Sequence, residues 1–288
     1  MKTIKHYDKD LAVVLSIFGS SDPSAMQQYL KLQEEVKQSL PENIEVRIAV
    51  SSRTVLKKLE ERGESYYTLT EQLANLDRLG HRRVIVSSVN VFPTEEHRYL
   101  ERIVDAFKNI SDRYEITVPL FTRAKKTNEF LCHLDSELRT KYKASNIVYI
   151  AHGALNLNSQ GAQSFSYVKD YLKILNPRNF FCTIEGAYPY KKEYILQEIA
   201  KVDQQYGKST DILVVPLLLV AGIHNKNDIY EIASELRDHF DKVEVPVNFQ
   251  EEGDFSLLRL QKTRKYFIDE ITNSISWLIC RCCNKEKQ

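Results

Sequence analysis

Apolar residues fall in short runs along this chain, each closed by turn-forming residues and followed by a stretch with amphipathic helical periodicity. Leu11 to Phe18 is the first run. It breaks at Gly19-Ser20-Ser21-Asp22-Pro23, after which Tyr29, Leu32, Val36 and Leu40 share one helical face. Ile44, Val46, Ile48 and Val50 alternate with less apolar residues, as in a strand with one less buried face. A short helix to Arg62 follows Ser51-Ser52-Arg53, and Thr68 with Glu71 makes a capping box for another, closed by Gly80. Val84-Ile85-Val86 is the third strand and leads to Asn90. Glu95-Glu96 starts an acidic helix that runs to about Ile110. Ile116 to Phe121 reads as the fourth strand, and Pro119 within it predicts an edge position.

Phe130, Leu134 and Leu138 mark a connecting helix, and then the pattern starts again. Strands are expected near residues 147, 180, 212 and 243, with helices over 164–175, 191–203 and 227–240. Both halves close on similar text, Ile-Thr-Val-Pro-Leu-Phe at 116–121 and Val-Glu-Val-Pro-Val-Asn-Phe at 243–249. An internal duplication follows: an α/β fold of two similar lobes, each a four-stranded parallel sheet flanked by helices, facing across a cleft. The expected divisions are an N-terminal lobe at 1–125, a connecting helix at 126–145, a C-terminal lobe at 146–250, and a final helix with a cysteine-rich tail at 251–288.

Three strands of the second half end alike. Asn146 to Ala154 contains four near-continuous apolar residues and turns at His152-Gly153; Phe180 to Ile184 stops at Glu185-Gly186; Ile212 to Val220 stops at Ala221-Gly222-Ile223-His224. If these strands are parallel neighbours, His152, Glu185 and His224 meet in one crevice at their carboxyl ends, where open α/β sheets bind ligands. The matching ends of the first half, Gly19-Ser20, Ser51-Ser52 and Val89-Asn90, carry no ionisable set. The second lobe is therefore the equipped one.

Composition narrows the partners. The 288 residues are 43% apolar and 27% charged, with a net charge of +1, so nothing draws the whole chain to nucleic acid or an anionic membrane. No run approaches the roughly 18 apolar residues of a spanning helix, and the first residues lack a signal-peptide pattern. Five cysteines, three of them crowded at Cys280, Cys282 and Cys283, point to a reducing cytoplasm rather than a disulfide framework. That cluster reads as a frayed tail; its softness also suits a metal shared across the interface of a homo-oligomer.

Two imidazoles and one carboxylate suit an open site for cobalt, iron, nickel or zinc, and equally a base with an orienting acid. No Gly-x-Ser-x-Gly elbow or dinucleotide glycine pattern is present, and no organic cofactor is expected. Arg53, Lys191 and Lys192 read first as solvated cations at helix starts, though they follow strand ends closely enough to meet carboxylates, and Tyr188 and Tyr190 are placed to stack on a ring or simply to pack. Asn227 and Asp228 read as helix caps. His97, beside Glu95 and Glu96, reads as a solvated helix start, with an accessory metal site as the alternative.

Ala-His-Gly-Ala at 151–154, Ile-Glu-Gly-Ala-Tyr-Pro at 184–189 and Pro-Leu-Leu-Leu-Val-Ala-Gly-Ile-His-Asn-Lys-Asn-Asp at 216–228 resemble the anaerobic sirohydrochlorin cobaltochelatases, among the class II tetrapyrrole chelatases. Phe18-Gly19-Ser20-Ser21 and Leu56 to Leu59 are further matches, and the resemblance spans about residues 11–275. It implies a chelatase-like fold and insertion of a divalent metal, cobalt(II) before iron(II) or nickel(II), into the cyclic tetrapyrrole sirohydrochlorin on the way to cobalamin. On that resemblance His152, Glu185 and His224 match the metal-binding and catalytic trio, with His152 assigned as base and the other two as metal holders. Ser20, Arg53, Asn90 and Tyr188 are the expected substrate contacts. The chain departs from the family at Asn90, where a histidine is frequent, at Ile223, where an acidic residue is usual, and in one extra residue between Glu185 and Tyr188. A non-catalytic haem or tetrapyrrole carrier, or a metal-binding protein, on the same fold is the alternative.

Overall fold

In the first sheet β1 (Lys9–Ile17), β2 (Glu45–Val50), β3 (His81–Ser88) and β4 (Arg113–Ile116) run parallel in the order β2-β1-β3-β4. Helices α1 (Pro23–Ser39), α2 (Arg53–Glu60), α3 (Leu69–Arg78) and α4 (Glu95–Lys108) connect them. The structure, a computed structural model, describes residues 6–109, 113–158, 160–222, 225–249 and 253–285. Leu11 to Ile17 is buried throughout, as a strand covered on both faces must be. Asp22 starts α1 by accepting a hydrogen bond from the Ala25 N–H, with Pro23 in the first turn where its missing N–H costs nothing. The capping box at α3 is present in both directions between Thr68 and Glu71. β4 is an edge strand, as Pro119 predicts. It lies earlier than expected, however, because pairing with β3 ends at Ile116 and the proline, with no N–H to donate, stands beyond it.

The second sheet repeats that order. β5 (Asn146–Ala154), β6 (Asn179–Gly186), β7 (Asp211–Pro216) and β8 (Lys242–Glu244) pair in parallel as β6-β5-β7-β8. α5 (Ala124–Tyr142) precedes β5, and α6 (Gln160–Leu175), α7 (Lys192–Tyr206) and α8 (Tyr230–Leu236) join the strands. Asn146 to Ala151 is buried throughout, and β5 sits between β6 and β7, so the three strands are the parallel neighbours that the site argument required. β7 is shorter than the apolar run suggests. After Pro216 the Leu217 N–H still donates to the Ile150 carbonyl, and then Leu218 and Leu219 accept from the N–H groups of Leu257 and Leu258. The apolar residues 218 and 219 are thus paired with a distant segment rather than with the sheet.

Contacts divide the chain into two compact units: Met1–Asn90, Glu96–Leu120 and Gln261–Gln288 in one, Val91–Glu95 and Phe121–Leu260 in the other. The last helix, α9 (Gln261–Lys285), packs on α1 and β3 of the first unit. There Arg264 Nε donates to the Glu35 carboxylate at 2.8 Å and the Tyr266 hydroxyl donates to the Pro119 carbonyl at 2.9 Å. No helix among the described residues is long and apolar enough to cross a membrane.

One polar network anchors α5 to the second sheet. Arg139 donates from Nε to Asp135 (3.2 Å), from Nη1 to the carbonyls of Ala144 and Ser145, and from Nη2 to Asn179 Oδ1. The buried Tyr149 hydroxyl donates to the other Asp135 oxygen at 2.8 Å, and burial with that carboxylate pushes the phenol pKa well up. Arg139→Ala would strip Asp135 of its counter-charge, and should cost about 3 kcal/mol, read as a lower urea midpoint at unchanged slope.

Candidate metal centre

The register of β5 on β6 places Gly153 beside Glu185 and Ala154 beside Gly186. Both glycines have positive φ, 118° at Gly153 and 73° at Gly186. A Cβ on Gly153 would stand 1.8 Å from the Glu185 carbonyl oxygen, and one on Gly186 2.1 Å from that of Ala154. Each strand end therefore occupies the space that a side chain on the other would fill. This close approach brings His152 Nδ1 to 3.6 Å from Glu185 Oε1, with side chains 46% and 52% exposed. Two ligands each about 2.1 Å from a tetrahedral ion stand about 3.4 Å apart, so the pair is nearly at chelating separation and open to an incoming ion.

Thr183 shapes the segment after Glu185. Its hydroxyl hydrogen is shared between the carbonyls of Glu185 (2.9 Å) and Ala187 (2.6 Å), its N–H donates to the Tyr188 carbonyl, and its own carbonyl accepts from Tyr190. The loop thus folds back on β6 and holds Tyr188 at φ 61°, a left-handed conformation uncommon for a bulky residue. Strain of that kind concentrates at functional sites. The Tyr188 hydroxyl lies 2.8 Å from Ser166 Oγ on α6, and Lys169 Nζ sits 4.8 Å from the centre of its ring. Leu157, Ala162, Gln163, Ser166, Ala187 and Tyr188 line a hollow of about 430 Å³ between the segments that leave the two strand ends. Leu155 and Leu157 are exposed apolar residues three and five positions past His152.

His224, the third member of the expected trio, lies outside the described residues. Among the described residues no three His, Cys, Asp or Glu side chains converge as a metal site. Asn227 and Asp228 do not sit at a cap: they belong to a π-helical turn, Asn225–Ile229, and α8 starts at Tyr230, where the cap position is Ile229 and no side chain caps it. Cys182 is buried within β6, where desolvation pushes its thiol up to about 12 and keeps it out of metal chemistry.

The other expected contacts are placed as follows. The Ser20 hydroxyl, nearly buried, accepts from the Asp22 N–H and builds the turn into α1. Arg53 opens α2 and is exposed, as is Lys191 before α7. Asn90, half-buried just past β3, donates from Nδ2 to Ser88 Oγ at 3.0 Å. His97 is not a solvated helix start: it is 3% exposed, with Nδ1 2.9 Å from the same Ser88 Oγ. The acidic neighbours that suggested solvation, Glu95 and Glu96, lie on another side of the helix from the imidazole; nothing in the local sequence signals Ser88 as its partner. Thr183, Ser166 and Lys169 were likewise not singled out by sequence, although a lone threonine in the apolar run Phe-Phe-Cys-Thr-Ile was a usable sign.

Residues 11–276 match the family described as cobalt chelatase (CbiK). The chain is 21% identical over 222 residues to the sirohydrochlorin cobaltochelatase of Salmonella typhimurium, covering 77% of this chain and 80% of that protein. Among solved structures, SirB from Bacillus subtilis with Fe3+ has a TM-score of 0.62 at 15% identity, covering 92% of this chain and 94% of that one. SirB from Bacillus subtilis subspecies spizizenii in complex with cobalt gives 0.58 at 13% identity and the same coverage. At these identities the likeness to the two structures is one of fold.

Proposed function

The chain belongs to the cobalt chelatase family, and on that premise we propose that it inserts a divalent metal, cobalt(II) foremost, into sirohydrochlorin in the cytoplasm, as a step toward cobalamin. The observation that carries this reading is the His152–Glu185 pair, 3.6 Å apart at adjoining strand ends and open to solvent. Cobalt is favoured by the name of the Salmonella typhimurium relative, and iron(II) and nickel(II) are the competing ions.

The chemistry asks two things of the protein. The free macrocycle gives up two pyrrole protons as the ion enters, and the ion exchanges its own ligands for four ring nitrogens. A neutral imidazole can accept one such proton, a carboxylate beside it favours the imidazolium that results, and the second proton passes to water at this solvent-open site. His152 takes the role of base in this proposal; Glu185, with His224, holds the ion until the ring nitrogens replace them. The apolar residues Leu155, Leu157 and Tyr188 suit the flat ring, and Arg53, Lys191 and Lys192 suit its carboxylate periphery, with Ser20 and Asn90 as further contacts.

Anaerobic incubation of the purified protein with sirohydrochlorin and each metal in turn, followed by absorbance, tests this. Cobalt(II) is expected to give the largest acceleration over the protein-free mixture. If no metal is inserted faster than without protein, the chelatase reading is lost.

A further inference from the structure

Four polar side chains of the first unit form a chain that ends at the carboxyl end of β3. Asn90 Nδ2 lies 3.0 Å from Ser88 Oγ, Ser88 Oγ lies 2.9 Å from His97 Nδ1, and His97 Nε2 lies 3.5 Å from Glu101 Oε1. Ser88 and His97 are buried, while Glu101 reaches solvent. The direction of the hydrogens follows from the ends of the chain. The Glu101 carboxylate, 3.5 Å from Nε2, repels a lone pair there and so favours the tautomer with hydrogen on Nε2. Burial lowers the His97 pKa, against a smaller opposing pull from Glu101, so the ring is neutral at pH 7 and Nδ1 is an acceptor. Ser88 must then give its one hydroxyl hydrogen to Nδ1 and can only accept from Asn90. The Asn90 amide is thereby turned with its NH2 toward Ser88, which leaves Oδ1 as the outward acceptor.

Backbone bonds fix the same residue: the Asn90 N–H donates to the Ser88 carbonyl, and the Asn90 carbonyl accepts from the Leu120 N–H. Asn90 follows β3, and β1 and β3 are the two central strands of the order β2-β1-β3-β4, between which the direction of winding reverses. Open parallel sheets take ligands at that point.

We infer that His97 and Ser88 are positioning residues that hold Asn90 Oδ1 as a hydrogen-bond acceptor for an N–H donor of the ligand. The identity of the ligand rests on the chelatase reading, since the pyrrole N–H groups of a metal-free tetrapyrrole are such donors.

Two measurements test the inference. Nitrogen-15 NMR of the histidine side chains, with His97 assigned by its loss in His97→Gln, should show a neutral ring with hydrogen on Nε2 at pH 7. A hydrogen on Nδ1 alone, or an imidazolium, overturns the proposal without reference to activity. Binding of metal-free sirohydrochlorin, followed by absorbance, should weaken about tenfold in Asn90→Leu and in His97→Phe, the worth of one hydrogen bond. The double variant should bind no worse than Asn90→Leu, because His97 acts through Asn90. His97→Gln, whose carbonyl can accept from Ser88, should recover most of the affinity. Losses that multiply in the double variant, or an Asn90→Leu that binds like the unaltered protein, overturn the assignment. An unaltered protein that binds sirohydrochlorin yet inserts no metal removes the chelatase reading and leaves this one standing.

Discussion

Metal insertion by His152→Ala is expected to be slower by at least about a hundredfold, the lower end of what a positioned general base contributes. Its melting temperature should be almost unchanged, because the side chain is half exposed and outside the buried core. The measurement is the initial rate of the sirohydrochlorin spectral change at saturating metal, beside a thermal melt. The split between rate and metal affinity decides the role. A full rate recovered at high metal concentration would make His152 a metal holder rather than the base. A loss of less than tenfold under all conditions would remove it from the reaction.

A larger structural effect is expected at Gly153→Ala. The added carbon would stand 1.8 Å from the Glu185 carbonyl oxygen, which belongs to backbone and cannot swing aside. The β5 and β6 ends must part, and about 3 kcal/mol or more is lost, roughly a 10 °C fall in melting temperature. Chelation should vanish with it, since the strand separation sets the distance from His152 to Glu185. Gly207→Ala is the control: φ is also positive there, 86°, but a Cβ meets nothing within 4 Å, so only the conformational strain of about 1–3 kcal/mol is expected, without the clash that adds to it at Gly153. Equal losses at the two positions would mean that the clash is relieved cheaply and that the strand ends are less tightly joined than the distances imply.

Much of this architecture could be read from the chain because parallel strands buried on both faces announce themselves. Asn146 to Ala154 showed its burial in Ile147 to Ile150 and its end in His152-Gly153, and the strand lies where that pattern put it. Features set by tertiary pairing were harder. Val118 to Phe121 is apolar enough for a strand, yet pairing on β3 stops at Ile116. Leu217 to Leu219 looks like more of β7, but Leu218 and Leu219 pair with residues almost forty positions later. The His152–Glu185 distance also depends on register, which apolar content does not specify. The two glycines hinted at it; only the facing of each against the opposite carbonyl explains why they are needed. His97 shows the limit most clearly. Its local text is acidic and polar, and its burial is decided by Ser88, nine residues away on a strand.

The placement of α9 has a consequence for how the chain folds as it is made. Residues 121–260 of the second unit are synthesised in one stretch, and its remaining piece, 91–95, precedes them. That unit can therefore close while the nascent chain is still growing. The first unit cannot, because the helix that carries Arg264 to Glu35 and Tyr266 to Pro119 is translated only after all of the second unit. Until then β3 and α1 lack their cover, so the first unit is completed only after the second.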